Sequence, residues 1–420
     1  MHPSKVRQGS YYPCEMRFAR GRRLAASPVS IRYGIAMGAI LLAPWANIRA
    51  QITLVRAGED RTCALDPTGK AYCWGQLGSL RLGFLIQPSP APVQTAVRFS
   101  YLTVGAAHVC GLTSRSGKLY CWGTNEGGAV GDGTLDDRRE PVAVATTMLF
   151  SDVAAGGAHT CAVSTDNRAV CWGYNGMGQL GDGTRKSRPS LGAVDSPNRY
   201  QFIAAGGQHT CAIDSSGLVY CWGDNRFGQT GSAGTETVLT PRRVATDKVF
   251  LAISMGLFHT CGLSVEGEVF CWGGNHRGQL GVGGVLDRVV PEKVTLPAVA
   301  RWVEAGGAHT CVGTKDRVTL CWGQNVFGQL GIVPSAPIST KPVQLSGPGP
   351  VASPCANFGP TTTSLDGCAE MPAFDGLTAG FAHTCGVAAM TLYCWGYNTS
   401  RQVGFTDAVI IATPRRIAMP

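Results

Sequence analysis

Residues 153–184 read VAAGGAHTCAVSTDNRAVCWGYNGMGQLGDGT, with two cysteines ten positions apart and a tryptophan after the second. No stretch of it keeps a helical period, and the glycines and polar residues fall between short runs suited to strands. In an antiparallel pair, facing residues have a constant sum of positions. Cys161 opposite Cys171 therefore centres a turn on Asp166, within Ser164-Thr-Asp-Asn-Arg168, where turn-forming residues stand. The stretch predicts a hairpin closed by a cross-strand disulfide.

The unit recurs seven times. Aligned on the first cysteine, the copies begin at 63, 110, 161, 211, 261, 311 and 385, with a period of 47 to 51 residues until a last interval of 74. The pairs are Cys63/Cys73, Cys110/Cys121, Cys161/Cys171, Cys211/Cys221, Cys261/Cys271, Cys311/Cys321 and Cys385/Cys394. Repeats of this length mark a propeller or solenoid, and seven of them predict an all-β, seven-bladed β-propeller with one disulfide per blade. Each bridge closes a loop of about ten residues, which chain entropy values at about 2 to 3 kcal/mol at best.

Other columns have packing readings. Trp74, Trp122, Trp172, Trp222, Trp272, Trp322 and Trp395 follow the second cysteines, so they project from the opposite blade face and suit the space between blades. Gly58, Gly105, Gly156, Gly206, Gly256, Gly306 and Gly380 lie five residues before the first cysteines, where a positive φ or a bulge is expected. Prolines upstream, as in Pro141–Val144, Pro241–Val244 and Pro291–Val294, suit the start of an edge strand.

The first fifty residues differ from the rest. They hold eight basic residues against the single acid Glu15, then the apolar run 34–46 and small residues near Ala50. This reads as a leader (residues 1–50), a signal peptide or retained anchor, whose apolar run is short for a membrane span. It leaves 28 basic and 26 acidic residues in 51–420, so the formal net charge of +9 comes mainly from the leader, and a basic surface for nucleic acid is not expected. Cys14 falls in the leader. The other sixteen cysteines pair without remainder once Cys355 and Cys368 bridge an insertion, and that even count fits an oxidising, secreted or cell-surface setting.

The runs GGxHTCA and VYCWGxNxxGQLG, clearest at 156–181, 206–229 and 306–331, resemble the repeat of the regulator of chromosome condensation family over about residues 52–420. The resemblance implies a propeller of four-stranded blades around a central channel. It also implies closure in which Thr413-Pro-Arg-Arg-Ile417 completes a blade together with residues such as Ile52 to Val55. The family's founder is an exchange factor for a small GTPase, whereas its cysteine-bearing relatives include plant receptor ectodomains and a secreted bacterial inhibitor. The plant ultraviolet-B receptor's tryptophan before the motif histidine is replaced here by Ala107, Ala158, Gln208, Phe258, Ala308 and Ala382.

Catalytic signatures are sparse. Six of the eight histidines are the repeat histidine (His108, His159, His209, His259, His309, His383), which reads as a hydrogen-bond partner in the scaffold; copy one has Arg61 instead. A zinc site from His159, Cys161 and Cys171 would have three ligands and would recur in most blades, so no metal is expected. GDGT at 131–134 and 181–184 lacks the alternating acids of a calcium loop and reads as a turn. No nucleophile elbow, phosphate loop or dinucleotide fingerprint occurs, and neither catalytic residues nor a cofactor are expected.

Function is then sought in what does not repeat. The insertion at 343–377 with Cys355 and Cys368 is one candidate binding region. The loops after the tryptophans are the other, with Tyr174, Phe227, His276, Phe327 and Tyr397 as candidate anchors; packing between blades is the alternative for aromatics that recur in one column. The expectation is a monomeric, non-enzymatic extracellular module binding a protein, peptide or glycan. An exchange-factor-like regulator of a GTPase and a secreted propeller enzyme are the alternatives.

Overall fold

In the computed structural model of the protein, residues 52–77, 85–113, 116–332, 336–345, 374–404 and 408–420 are described. They form twenty-eight strands in seven four-stranded antiparallel sheets, each a meander in chain order. Blade 3 shows the pattern: Phe150–Ala155, His159–Ser164, Ala169–Gly173 and Arg188–Ala193. The first strands touch from blade to blade around the ring, the seventh meeting the first, so they line the central channel.

The hairpin arithmetic holds in all seven copies. Cys161 faces Cys171 and Val163 faces Ala169, which leaves the turn on residues 164–168. Every expected hairpin disulfide is formed: Cys63–Cys73, Cys110–Cys121, Cys161–Cys171, Cys211–Cys221, Cys261–Cys271, Cys311–Cys321 and Cys385–Cys394, with Cα atoms 4.1 or 4.2 Å apart. The leader 1–50 and the Cys355/Cys368 bridge lie outside the described residues, as does all of the insertion but Val343–Leu345 and Phe374–Leu377.

Each disulfide faces the next blade and each tryptophan the previous one. Trp172 packs with Cys110 and Cys121, whereas the Cys161–Cys171 bridge packs under Trp222. The same alternation builds the other junctions. A buried indole removes about 200 Å² from water, worth about 5 kcal/mol as an upper figure. That exceeds the bridge's chain-entropy contribution, so apolar burial holds blade to blade while the disulfide fixes each hairpin.

Three expectations are corrected. The glycines five residues before the first cysteines have no positive φ; they are small because a Cβ on Gly206 would stand 2.5 Å from the Gly256 carbonyl oxygen, and the contact repeats around the ring. The left-handed backbone falls instead on the glycine after each tryptophan, such as Gly173 at φ 103°. Closure exchanges no strand: Leu54–Ala57 begins the first sheet and Ile410–Arg416 ends the last, each paired only within its own blade. The prolines do lie on outer edge strands, but inside them, where the register shifts between Cys121 and Gly123 opposite Arg138–Ala143.

Candidate binding face

The repeat histidines form a chain around the channel. His159 Nε2 lies 2.9 Å from Thr210 Oγ1 of the next blade, and Thr210 Oγ1 donates to the Gln179 carbonyl at 2.9 Å. A hydroxyl has one proton to give, so Thr210 accepts from His159, and the ring is the neutral Nε2–H tautomer. The same pair links His108 to Thr160, His209 to Thr260, His259 to Thr310, His309 to Thr384 and His383 to Thr62. Burial depresses all six, His159 to about 3 and His209 to about 4. The seventh junction lacks both partners, with Arg61 for histidine and Val109 for threonine. Arg61 is buried, and desolvation pushes its guanidinium down to about 10 against the opposing pull of Asp60 and Glu59.

These groups are scaffold. Cys161 and Cys171 are bonded to each other and His159 to Thr210, so the imagined zinc set is committed elsewhere. The cysteines of the other blades are equally committed. Cys73, Cys121, Cys221, Cys271, Cys321 and Cys394, each just before a tryptophan, are buried and closed onto Cys63, Cys110, Cys211, Cys261, Cys311 and Cys385. None of these sulfurs is open to a ligand, so the bridges are structural and take no part in a binding site. In the GDGT loops, Asp132 accepts Thr134 and Arg138, and Asp182 accepts Thr184 and Arg188. Among the described residues no group of three or more His, Cys, Asp or Glu is placed to hold a metal ion.

The end of the propeller reached by the loops after the tryptophans carries the aromatics. There the strand-start glycines and their neighbours, including Glu59, Ala106, Leu257 and Phe381, surround a depression of about 100 Å³ at the channel mouth. Glu59 and Asp60 are both raised, chiefly by desolvation. Phe227 packs edge-on against Phe258 at 5.3 Å and His276 at 5.5 Å, across the blade 4–5 junction. Phe327 meets Tyr397 at 4.5 Å across the blade 6–7 junction. The structure thus brings four of the five candidate anchors into two inter-blade clusters, while Tyr174 stands apart, 40% exposed, against Gly127 and Gly176.

Sequence reasoning missed the other members of this surface. Phe258 is 37% exposed, Phe381 39% and Val326 50%. Phe258 and Phe381 stand in columns that are mostly small in the other blades, and that departure was the available signal. With Phe227, His276, Phe327 and Tyr397 they place an aromatic or apolar side chain at this end of each of blades 4 to 7, an aromatic arc with exposed Arg226 and Arg277 between its rings, and exposed aromatics and arginines of this kind are enriched at interaction sites.

Fold and face together define a disulfide-locked seven-bladed propeller, with scaffold chemistry in the repeats and an aromatic arc at one end. The chain belongs to the RCC1-like domain family, whose model matches residues 42–360. It is 32% identical over 124 residues to the Arabidopsis thaliana ultraviolet-B receptor UVR8, a match covering 28% of this chain and 28% of the receptor. Among solved structures, yeast RCC1 (Prp20) bound to Kap60 superposes with a TM-score of 0.69 at 20% identity, over 92% of this chain and 91% of that one. Human WBSCR16 superposes with a TM-score of 0.68 at 20% identity, over 83% and 89%.

Proposed function

We propose that this propeller is a non-enzymatic binding module, exported to an oxidising compartment, that engages a partner protein through the aromatic arc of blades 4 to 7. The arc carries the reading: it places several exposed or half-buried rings at one end of a rigid scaffold, where each can enter a partner at little entropic cost. The yeast relative is seen bound to Kap60, and its binding to Gsp1p and histones is described; that a related propeller takes protein partners supports a protein here. The leader-like residues 1–50 and the bonded cysteines support export.

The test is capture by the purified mature protein from material outside the cytoplasm, in parallel with a Phe258→Ser/Phe381→Ser variant. A partner retained by the native face and lost with the variant, while the variant remains folded with a melting temperature lowered only by the loss of the Phe227–Phe258 contact, is the expected result. Equal recovery by both baits refutes the face. Export is read separately from the amino terminus of the protein recovered outside the cytoplasm and from its free-thiol count; a reduced, cytoplasmic protein refutes it.

A further inference from the structure

We propose that blade 3 carries a pocket for a small carboxylate with an apolar body, at the end of the propeller opposite the aromatic arc. The pocket, about 350 Å³, lies between the outer strands of blade 3 and the start of blade 4. Its volume falls in the range of small-ligand sites. Val170, Leu191 and Tyr200 give it an apolar lining, and Arg168 and Arg199 stand at its rim.

Departures from the repeat open it. Val170 occupies a third-strand position where five of the other blades carry Tyr72, Tyr120, Tyr220, Phe270 and Tyr393, and blade 6 carries Leu320. In four of those blades the aromatic packs edge-on against the ring that begins the blade, as Tyr220 does against Tyr200. Blade 3 has no such pair. On the neighbouring outer strand, Val170 faces Ala193; Tyr220, Phe270, Leu320 and Tyr393 face the long side chains of Arg243, Lys293, Gln344 and Arg416, and Tyr72 and Tyr120 face the short Pro92 and Ala143 but keep their own rings. Two places earlier on that outer strand, Leu191 replaces the proline found in every other copy. Blade 3 has therefore lost the ring from a cross-strand pair whose other member is also small, and the space that a ring fills elsewhere opens into the pocket.

The rim chooses the ligand. Arg168 is paired with Asp166 at 3.0 Å, whereas Arg199 has no ion-pair partner among the described residues, so two guanidinium groups stand against one carboxylate. A guanidinium fork suits a carboxylate or a phosphate. With a single positive charge uncompensated and Asp166 beside it, a monoanion fits better than a dianion. A carboxylate at the rim with its apolar body against Val170, Leu191 and Tyr200 satisfies both surfaces. That carboxylate can belong to a free small acid or to the C-terminus of a peptide ending in an apolar residue.

Chemical-shift titration of the isotopically labelled protein with four probes tests this: 4-phenylbutyrate, its neutral amide, phenyl phosphate and N-acetylphenylalanine. Saturable shifts confined to blade 3 and the start of blade 4 are expected, with 4-phenylbutyrate ahead of its amide and of phenyl phosphate. Stronger binding of N-acetylphenylalanine than of 4-phenylbutyrate also supports the pocket and assigns it to a peptide terminus. Val170→Tyr, which installs the residue of blades 1, 2, 4 and 7, should weaken every probe at least tenfold. Should that variant fail to fold, Arg199→Gln at the exposed rim serves: it should weaken the acids about fivefold and leave the amide unchanged. Absence of saturable shifts, tighter binding of phenyl phosphate, or acid binding untouched by both substitutions would overturn the proposal.

Discussion

Acidification from pH 7.5 to pH 5 should destabilise this propeller strongly, well before its carboxylates are protonated in bulk, because of six histidines. In the folded chain their pKa values are depressed by burial to about 3 or 4, from 6.5. A depressed folded pKa means that stability is complete above the unfolded value and falls as the pH drops below it, since only the unfolded chain takes up the protons. At pH 5 each histidine then costs about 2 kcal/mol and the six together about 12, with a limiting slope of about 8 kcal/mol per pH unit. Asp152, raised by desolvation to about 7, runs the other way and returns about 3 kcal/mol as it protonates in the fold. The net loss of about 9 kcal/mol lies within the whole stability of an ordinary domain. Guanidinium midpoints at pH 7.5, 6 and 5, at constant ionic strength and with the disulfides intact, measure it. His209→Asn should lower stability at pH 7.5 and reduce the slope by about 1.4 kcal/mol per pH unit, one proton's worth. A midpoint that does not move between pH 7.5 and pH 5 refutes the reasoning.

Gly206→Ala should cost about 3 kcal/mol or abolish the folded yield, since its Cβ meets the Gly256 carbonyl, and backbone cannot give way. Gly183→Ala, at φ 76° with only Thr240 Cγ2 near at 3.8 Å, should cost about 1 kcal/mol, so equal melting shifts for the two would refute the close-approach account. Arg61→His combined with Val109→Thr should install the histidine–threonine bond at the one junction without it; a double-mutant cycle is expected to give about 1 kcal/mol of favourable coupling, and additive effects would count against it. Phe227→Ala should lower stability by about 1 kcal/mol through lost packing on Phe258 and His276, whereas Tyr174→Ala should leave the melting temperature within error.

What was legible in the sequence was whatever is decided within one blade. The constant sum of Cys161 and Cys171 located the turn, and strand alternation put Trp172 and Cys171 on opposite faces. What was not legible depends on residues one repeat away. Gly206 looks like a conformational glycine until Gly256 is seen against it, and the tautomer of His159 follows from Thr210 and Gln179 together. The candidate anchors were half legible for the same reason. Phe227 and Phe327 stand in loops that vary, but Phe258 and Phe381 sit just before the repeat histidines, in columns that are mostly small in the other blades. The blade 3 pocket is a case of absence, visible only when Val170 and Leu191 are compared with their columns.

The way the ring closes follows from these junctions. Exchange of a strand between the ends would tie the first and last blades by backbone hydrogen bonds, yet here both sheets are built from contiguous chain. The seam between them instead repeats the histidine–threonine bond found at five of the other junctions. Thr62 Oγ1 donates to the Gln402 carbonyl at 2.8 Å and accepts from His383, Trp74 Nε1 reaches the same carbonyl at 2.9 Å, and Phe381 N donates to Gly58 O at 3.0 Å. Gln402 adds a bond to Asp60 that uses the acid specific to blade 1. Each hairpin is already fixed by its disulfide, so a terminal blade needs no borrowed strand to hold its shape, and the seam has only to match the side-chain contacts of its neighbours. Its weakest neighbour is then the blade 1–2 junction, where Arg61 and Val109 replace the histidine and threonine, and loss of order on heating at neutral pH should begin there rather than at the seam. Amide exchange resolved by blade distinguishes the two: earliest exchange in Leu54–Ala57 and Phe99–Val104 together supports this order, and earliest exchange in Gly376–Ala379 refutes it.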